Sequence, residues 1–402
     1  MQSKIPSLTR VVLRNYKSIG NCDVKLGRLT FLVGANGSGK SNFLDALHFV
    51  RDALTGTLEN ALNERGGLTE VRRRSGGHPN NFGIRLEFRL IDGRAARYSF
   101  NIGALSERGY VVQREECVID RDRHGPRFSI EGGKVVTSEM SFPSVTGDRL
   151  ALVAVSGLAA FRPAFDALTS MGFYNLNPRA MRDPQKPQDG RLLKPIGENI
   201  ASVIGHLARV APQNLAIIKD YLHTVVPTVN DVDRKQMGTL ETLEFRQSMK
   251  GATHPWRFPA QNMSDGTLRA LGVLTALFQA NTDYAPLLVA IEEPETALHP
   301  AASAALREAL NQASQMTQVI VTSHSPELLD DMAIGPESLL SVVSDQGETK
   351  IASLDNASRS AMKDHLFSAG ELLRLNQLSP DPFQVELQQN RQADLFADDV
   401  VG

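Results

Sequence analysis

Residues 29–43, LTFLVGANGSGKSNF, decide how the rest of the chain is read. The apolar opening, with Leu29, Phe31, Leu32 and Val33, predicts a buried strand. It breaks at Gly34 into a glycine-rich loop, and Lys40 and Ser41 then open a helical pattern. This is G-x-x-x-x-G-K-S, a phosphate-binding loop in the strand-to-helix setting that the motif requires. Gly34, Gly37 and Gly39 lack a Cβ, so the backbone can curl and aim successive N–H groups at one point. The positive end of the following helix favours an anion at that same point. Lys40 would reach the β- and γ-phosphates, and the Ser41 hydroxyl would ligate Mg²⁺. The expected contacts of a nucleoside triphosphate are Gly34, Ala35, Asn36, Gly37, Ser38, Gly39, Lys40, Ser41 and Asn42. The competing reading is a glycine-rich turn with a surface lysine, and the flanking strand and helix argue against it.

Composition limits the remaining classes. At 402 residues the chain can bury one large core or two modest ones, and 42% hydrophobic with 22% charged residues is ordinary for a globular protein. Lys+Arg 43 against Asp+Glu 45 leaves a net charge of −2, so any nucleic-acid contact must come from a local patch. Cys22 and Cys117 lie far apart and in no metal-ligand spacing, which fits a reducing compartment. With no apolar leader and no run long enough to span a bilayer, the expectation is a cytoplasmic protein without a membrane partner.

In chain order, residues 8–19 alternate roughly as a strand, with Val12, Leu13 and Tyr16 inward, and residues 40–54 read as a helix. After a Gly/Arg-rich loop at 65–81, a β-meander is expected at 83–91, 96–103, 109–119 and 127–137. The period then turns helical at 158–171, 199–210 and 213–225, with strands at 228–235 and 239–248. A helix at 264–280 is followed by a strand (287–292), a helix (300–315), a strand (317–322), a helix (326–333) and a hairpin at 345–347. That alternation predicts an α/β fold with a parallel sheet covered on both faces, and a polar, frayed tail after Pro382. Boundaries fall at 1–149 (phosphate loop and meander), 150–260 (inserted helical lobe and return strands), 261–355 (second half of the core) and 356–402 (C-terminal helix and tail).

Three further segments bear on chemistry. LLVAIEE (287–293) is an apolar strand ending in Glu292 and Glu293, and ligands of parallel sheets bind at such carboxyl ends. One carboxylate can hold Mg²⁺ through water while its neighbour orients the attacking water as general base. QVIVTSHS (318–325) is a second such strand, ending near His324, which can hydrogen-bond a γ-phosphate. In NMSDGTLRAL (262–271), Ser264 is a candidate N-cap, and its hydroxyl with the Gly266 N–H forms a second anion site.

GANGSGKS, MSDGT, LLVAIEEPETALHP and VTSHSP, in that order, resemble the ABC-class ATPases of the RecF, SMC and OLD (overcoming-lysogenization-defect) type, and the opening 40 or so residues look especially RecF-like. The likeness covers about 1–90 and 255–345. It implies a P-loop NTPase head with ATP and Mg²⁺ as ligands. Residues 34–41 would be Walker A, and Glu292 and Glu293 the end of Walker B, with Ser41 and Glu292 on the metal and Glu293 as base. Residues 295–299 would be the D-loop and His324 the switch histidine. Ser264, Asp265 and Gly266 would form the signature that closes on ATP held by a second subunit, in a head-to-head homodimer. Walker B ends Glu-Glu here instead of Asp-Glu, the signature is not the transporter form LSGGQ, and Gln113 is a candidate for the Q-loop or an exposed strand residue.

No heptad pattern is sustained between Lys40 and Met263, so no SMC-like coiled-coil arm is expected, and the length after His324 leaves no room for the TOPRIM nuclease domain of OLD proteins. The leading expectation is an ATP-gated dimeric switch controlling a separate effector, a nuclease or toxin, in phage defence. The alternative is a RecF-like repair ATPase that binds DNA directly, through Arg72, Arg73 and Arg74 or Arg121, Arg123 and Arg127. A transporter subunit is disfavoured by EEPETALHP and by the signature.

Overall fold

The computed structural model describes residues 5–75, 79–105, 109–119, 125–138, 142–280, 286–390 and 394–396. A hairpin, β1 (Ser7–Tyr16) and β2 (Ile19–Lys25), precedes β3 (Leu29–Val33) and helix α1 (Lys40–Thr55). Short helices α2 (Leu58–Asn63) and α3 (Leu68–Val71) lead to β4 (Asn81–Arg89), β5 (Ala95–Ala104), β6 (Tyr110–Ile119), β7 (Arg127–Glu131) and β8 (Lys134–Ser138). A mainly helical stretch follows: α4 (Ala151–Ala154), α5 (Arg162–Thr169), the short strand β9 (Gly172–Tyr174), α6 (Pro178–Arg182), α7 (Ile200–Val210) and α8 (Pro212–Val225). Strands β10 (Val229–Met237), β11 (Leu240–Gln247) and β12 (Trp256–Pro259) form a small antiparallel sheet before α9 (Asp265–Phe278). The chain continues through β13 (Val289–Glu292), α10 (Ser303–Ser314), β14 (Val319–Ser323), α11 (Pro326–Leu329), β15 (Leu339–Asp345) and β16 (Glu348–Ser353). It closes with α12 (Asn356–Lys363), α13 (Ala369–Arg374) and α14 (Pro382–Asn390).

The main sheet has 13 strands in the order β8-β7-β6-β5-β4-β1-β2-β16-β15-β3-β14-β13-β9. In that order every neighbour from β15 to β9 is parallel, whereas every neighbour from β8 to β2 is antiparallel. The α/β fold with a parallel core and an antiparallel meander is therefore present. The meander is not a separate module, because β1, β2 and β16 join it to the parallel strands in one sheet.

Strand periodicity explains why the parallel strands read as unbroken apolar runs. Leu32, Ala290 and Ile320 face a core shared with Phe43, Leu47 and Val50 of α1. Their neighbours Phe31, Val33, Val289, Ile291, Val319 and Val321 face a second core shared with α7, α8, α9 and α10. Alternate side chains thus enter opposite layers, and both are dry. Phe43, Leu47 and Val50 are each 0% exposed, and burial of such side chains contributes about 1.5–3 kcal/mol apiece. Helices α6, α7 and α8 share that second core with the sheet, whereas α4 and α5 pack into the first; α9 joins the second core and also packs against β13 and α10. The Ser264 helix accordingly does not lie in a lobe apart from the carboxylates.

Four local expectations are corrected. Residues 8–19 form two strands, because the chain turns at Lys17, with φ 47°, and Ser18. The helix expected at 158–171 starts at Arg162, where Pro163 suits the first turn, and gives way to β9. The helix expected to reach 333 stops at Leu329. From Pro382 to Asn390 the expected frayed tail is instead a helix, α14. It is tied down by polar side chains, with Gln388 Nε2 donating to Asp23 O (3.0 Å) and Ile351 O (3.1 Å).

Candidate functional site

The strand register builds the site. β14 lies between β3 and β13, with Val33 beside Ser323 and Glu292 beside Thr322. The carboxyl ends of three adjacent parallel strands therefore deliver the 34–41 loop, His324 and the two carboxylates to one edge. His324 comes from the central strand of the three, between the loop and the carboxylates.

The loop leaves a helix N-terminus open. Gly39 precedes α1 with φ 105° and no side chain caps the first turn. No side chain thus competes for the first-turn amides, although the Asn42 N–H already donates to Gly39 O at 3.0 Å. Ala35, Asn36 and Gly37 are exposed. Close packing explains two of the glycines: a Cβ on Gly34 would lie 2.0 Å from Val342 O, and one on Gly39 would lie 2.0 Å from Thr349 Oγ1. The hairpin of β15 and β16 is thus the wall against which the loop is formed, and the Thr349 hydroxyl donates to Ser38 O (2.9 Å). Lys40 is 5% exposed, and its Nζ donates to Gly34 O (2.8 Å) and Ala35 O (3.0 Å). Burial pulls the Lys40 pKa below its usual value, while Glu293, Glu295 and Glu292 push it back up.

The Ser41 hydroxyl donates to Glu292 Oε2 at 2.7 Å. These two oxygens, from opposite sides of the edge, fit the hard cation the motif implies, since Mg²⁺ takes one or two protein oxygens together with substrate phosphates and water. Glu293 holds a left-handed backbone, φ 43°, which costs a non-glycine residue on the order of 1–2 kcal/mol. Its N–H is fixed by Thr322 O (3.0 Å) and Thr322 Oγ1 (3.2 Å). Its Oε1 lies 3.0 Å from His324 Nδ1. The second carboxylate is therefore turned away from Ser41 and held by the histidine, so the adjacent glutamates have different partners.

Two further charged groups lie near the edge: Glu295, at the start of the expected D-loop, and Arg269 of α9. Glu295 accepts from the Ser323 hydroxyl (2.6 Å), and its other oxygen is buried with no partner among the described residues. Burial raises its pKa against the opposing effect of that hydrogen bond. Arg269, one turn into α9, is pulled below its usual pKa by burial and raised by the fields of Glu293 and Glu295.

Ser264 is the N-cap of α9, its hydroxyl accepting from Thr267 N (3.1 Å). Ser264 and Asp265 are exposed, and Asp265 pairs with Arg182 of α6 at 2.5 Å. A Cβ on Gly266 would lie 2.5 Å from Ala297 O, so the start of α9 touches the 295–299 segment closely. The Asn42 amide donates to Ser18 Oγ (2.6 Å), bracing α1 against the β1–β2 turn. Gln113 lies exposed on β6 and accepts from Asn101 Nδ2 (2.9 Å). Arg73 pairs with Glu348 (3.0 Å), Arg74 with Glu70, and Arg72 donates to Pro79 O (3.1 Å). Arg127 starts β7, whereas Arg121 and Arg123 lie outside the described residues.

A family model described as "AAA domain, putative AbiEii toxin, Type IV TA system" matches residues 29–130 and 251–330. Those segments hold the loop, the α9 N-terminus, both carboxylates and His324. A search of curated proteins finds no match. Among solved structures, the chain is similar to the Smc head bound to the C-winged helix domain of ScpA, at 16% identity and TM-score 0.54, covering 88% of this chain and 99% of that one. It is also similar to the Smc head domain with an extended coiled coil bound to the C-terminal domain of ScpA, derived from Pyrococcus furiosus. The figures there are 13% identity and TM-score 0.55, with 90% and 100% covered. At these identities the likeness is one of fold. The longest helix among the described residues, α1, has 16 residues, so they include no coiled-coil arm. No described helix is long and apolar enough to cross a membrane. The family-model match and the fold shared with the Smc heads both support an ATPase head of the ABC-class AAA type.

Proposed function

We propose that the protein hydrolyses ATP at the edge formed by the 34–41 loop, Glu292, Glu293 and His324, and that it works as a nucleotide-closed homodimer controlling a separate effector, a nuclease or toxin, in phage defence. The observation that carries the hydrolytic part is the division of labour between adjacent glutamates, Glu292 on the Ser41 hydroxyl and Glu293 on His324. Lys40 would exchange its two carbonyl partners for the β- and γ-phosphates. Ser41 and Glu292 would hold Mg²⁺, which when bound neutralises phosphate charge. Glu293 would take the proton of the attacking water on its free oxygen, while His324 fixes Oε1 and keeps its other ring nitrogen for the γ-phosphate.

Exposed Ser264 and Asp265 at the start of α9 support a dimer, since that surface is open to a nucleotide held by another subunit. The defence role rests on the toxin–antitoxin description of the matched family. Direct DNA binding has weaker support, because Arg73 and Arg74 are already engaged by carboxylates.

Paired substitutions test the division of labour. Glu293→Gln should leave ATP binding intact and lower turnover by about 10²-fold or more. Glu292→Gln should raise the Mg²⁺ concentration needed for half-maximal turnover. Full activity in Glu293→Gln, with Glu292→Gln inactive at every Mg²⁺ concentration, would reverse the roles.

A further inference from the structure

A polar cavity of about 390 Å³ lies between the 188–191 loop, the outer side of α7 and the β10 strand, and none of the residues proposed for ATP lines it. Three guanidinium groups, Arg191, Arg209 and Arg234, border it together with His206. Arg234 is built into place. Its Nη1 lies 3.3 Å from Glu241 Oε2, a carboxylate only 2% exposed that also receives the Ser202 hydroxyl. Its stem lies across α7 where only glycine leaves space, since a Cβ on Gly205 would fall 2.6 Å from Arg234 Cδ. Arg191 and Arg209 have no carboxylate within ion-pair distance among the described residues. Arg209 Nη2 instead lies 3.3 Å from His206 Nδ1, and the one carboxylate on the rim, Asp189, accepts from the Arg191 N–H (3.1 Å).

We infer that this cavity binds a small phosphorylated ligand, such as a nucleotide or an inorganic oligophosphate, at a site separate from the ATPase edge. Guanidinium is the group best matched to phosphate, because its planar fork donates two parallel hydrogen bonds to an oxyanion. Here two forks free of any carboxylate among the described residues, one of them against the His206 ring, stand beside a third that is anchored. The volume falls within the range of small-molecule sites. The site is also mechanically connected: α7 packs against α9, the helix that begins at Ser264, so an occupant rests one helix away from the signature segment.

Calorimetry with inorganic pyrophosphate tests this on the full chain carrying Lys40→Ala, which silences the ATPase edge. One binding event is expected, weakening as salt is raised. Adding Arg191→Ala and Arg209→Ala should weaken it by about tenfold or more, as loss of hydrogen bonds to a charged group requires. Both arginines are exposed, so the fold should survive, and Arg209→Glu alone should have the same effect. Repeating the titration with ATP separates the sources. Binding tighter than pyrophosphate assigns a nucleotide, and equal or weaker binding assigns a free oligophosphate. No binding to the Lys40→Ala protein, or binding that the arginine substitutions leave unchanged, would overturn the inference.

Discussion

Glu115 offers a test of how the meander is fastened to the helical region. It sits on β6 at 1% exposure and accepts from Ala151 N (2.5 Å), Leu152 N (2.9 Å) and the Tyr98 hydroxyl (2.9 Å). Burial outweighs those three donors and pushes its pKa up to about 7, from 4.5. A raised carboxyl pKa means that the folded state holds the proton more tightly than the unfolded state. The associated stability is complete below pH 4.5 and is lost as pH rises to about 7. At about 1.4 kcal/mol per pH unit, the loss across this window is about 3 kcal/mol. Glu115→Gln removes the titration and keeps an oxygen acceptor for one of the two amides, which donate to different carboxylate oxygens; the resulting offset does not vary with pH. Urea unfolding of both proteins at half-unit steps from pH 4.5 to 8 should show the variant gaining on the native chain by about 3 kcal/mol, with no further change above pH 7.5. Comparing the pair cancels the titrations they share. A difference that is flat with pH, or that moves against the variant as pH rises, would refute the reasoning.

Other expectations concern the loop. Lys40→Ala removes the buried ammonium aimed at the phosphates, so equilibrium nucleotide binding and steady-state hydrolysis should both collapse. Gly39→Ala forces a Cβ to within 2.0 Å of Thr349 Oγ1 at a φ of 105°, and should weaken ATP binding by about tenfold or more. Gly37→Ala, where nothing lies within 4 Å of the added Cβ, should be milder in the same binding assay, although φ is 77° there too.

How much of this was legible in the sequence depends on whether each signal was local. The loop, the strand at 287–292 and the strand at 317–322 could be read because strands buried on both faces are continuous apolar runs. The Ser264 cap was legible for the same reason: capping involves residues three apart. Spatial strand order was not legible, and it sets His324 between the loop and the carboxylates and makes the 345–347 hairpin the wall behind Gly34 and Gly39. The three-residue β9 escaped notice because a strand so short has no period to detect. Helix α14 escaped because glutamine side chains, not an apolar stripe, attach it to the sheet. The coupling of Glu295 and Arg269 to the field of Glu293 was not legible, because Arg269 and the glutamates lie on segments apart in sequence.

The central claim is that ATP closes two copies of this chain on one another. It is tested most directly by light scattering, with and without ATP, on Glu293→Gln and on the same protein carrying Ser264→Arg, with nucleotide binding measured on both. In Glu293→Gln, bound ATP should persist and shift the protein to a tighter dimer, because the ligand favours the closed state. Ser264→Arg places a bulky cation at the exposed start of α9, so it should abolish the shift and leave ATP binding by the separate subunit nearly unchanged. Association unaltered by ATP in Glu293→Gln, or ATP binding itself lost with Ser264→Arg, would contradict the account and reduce Ser264 to a helix cap.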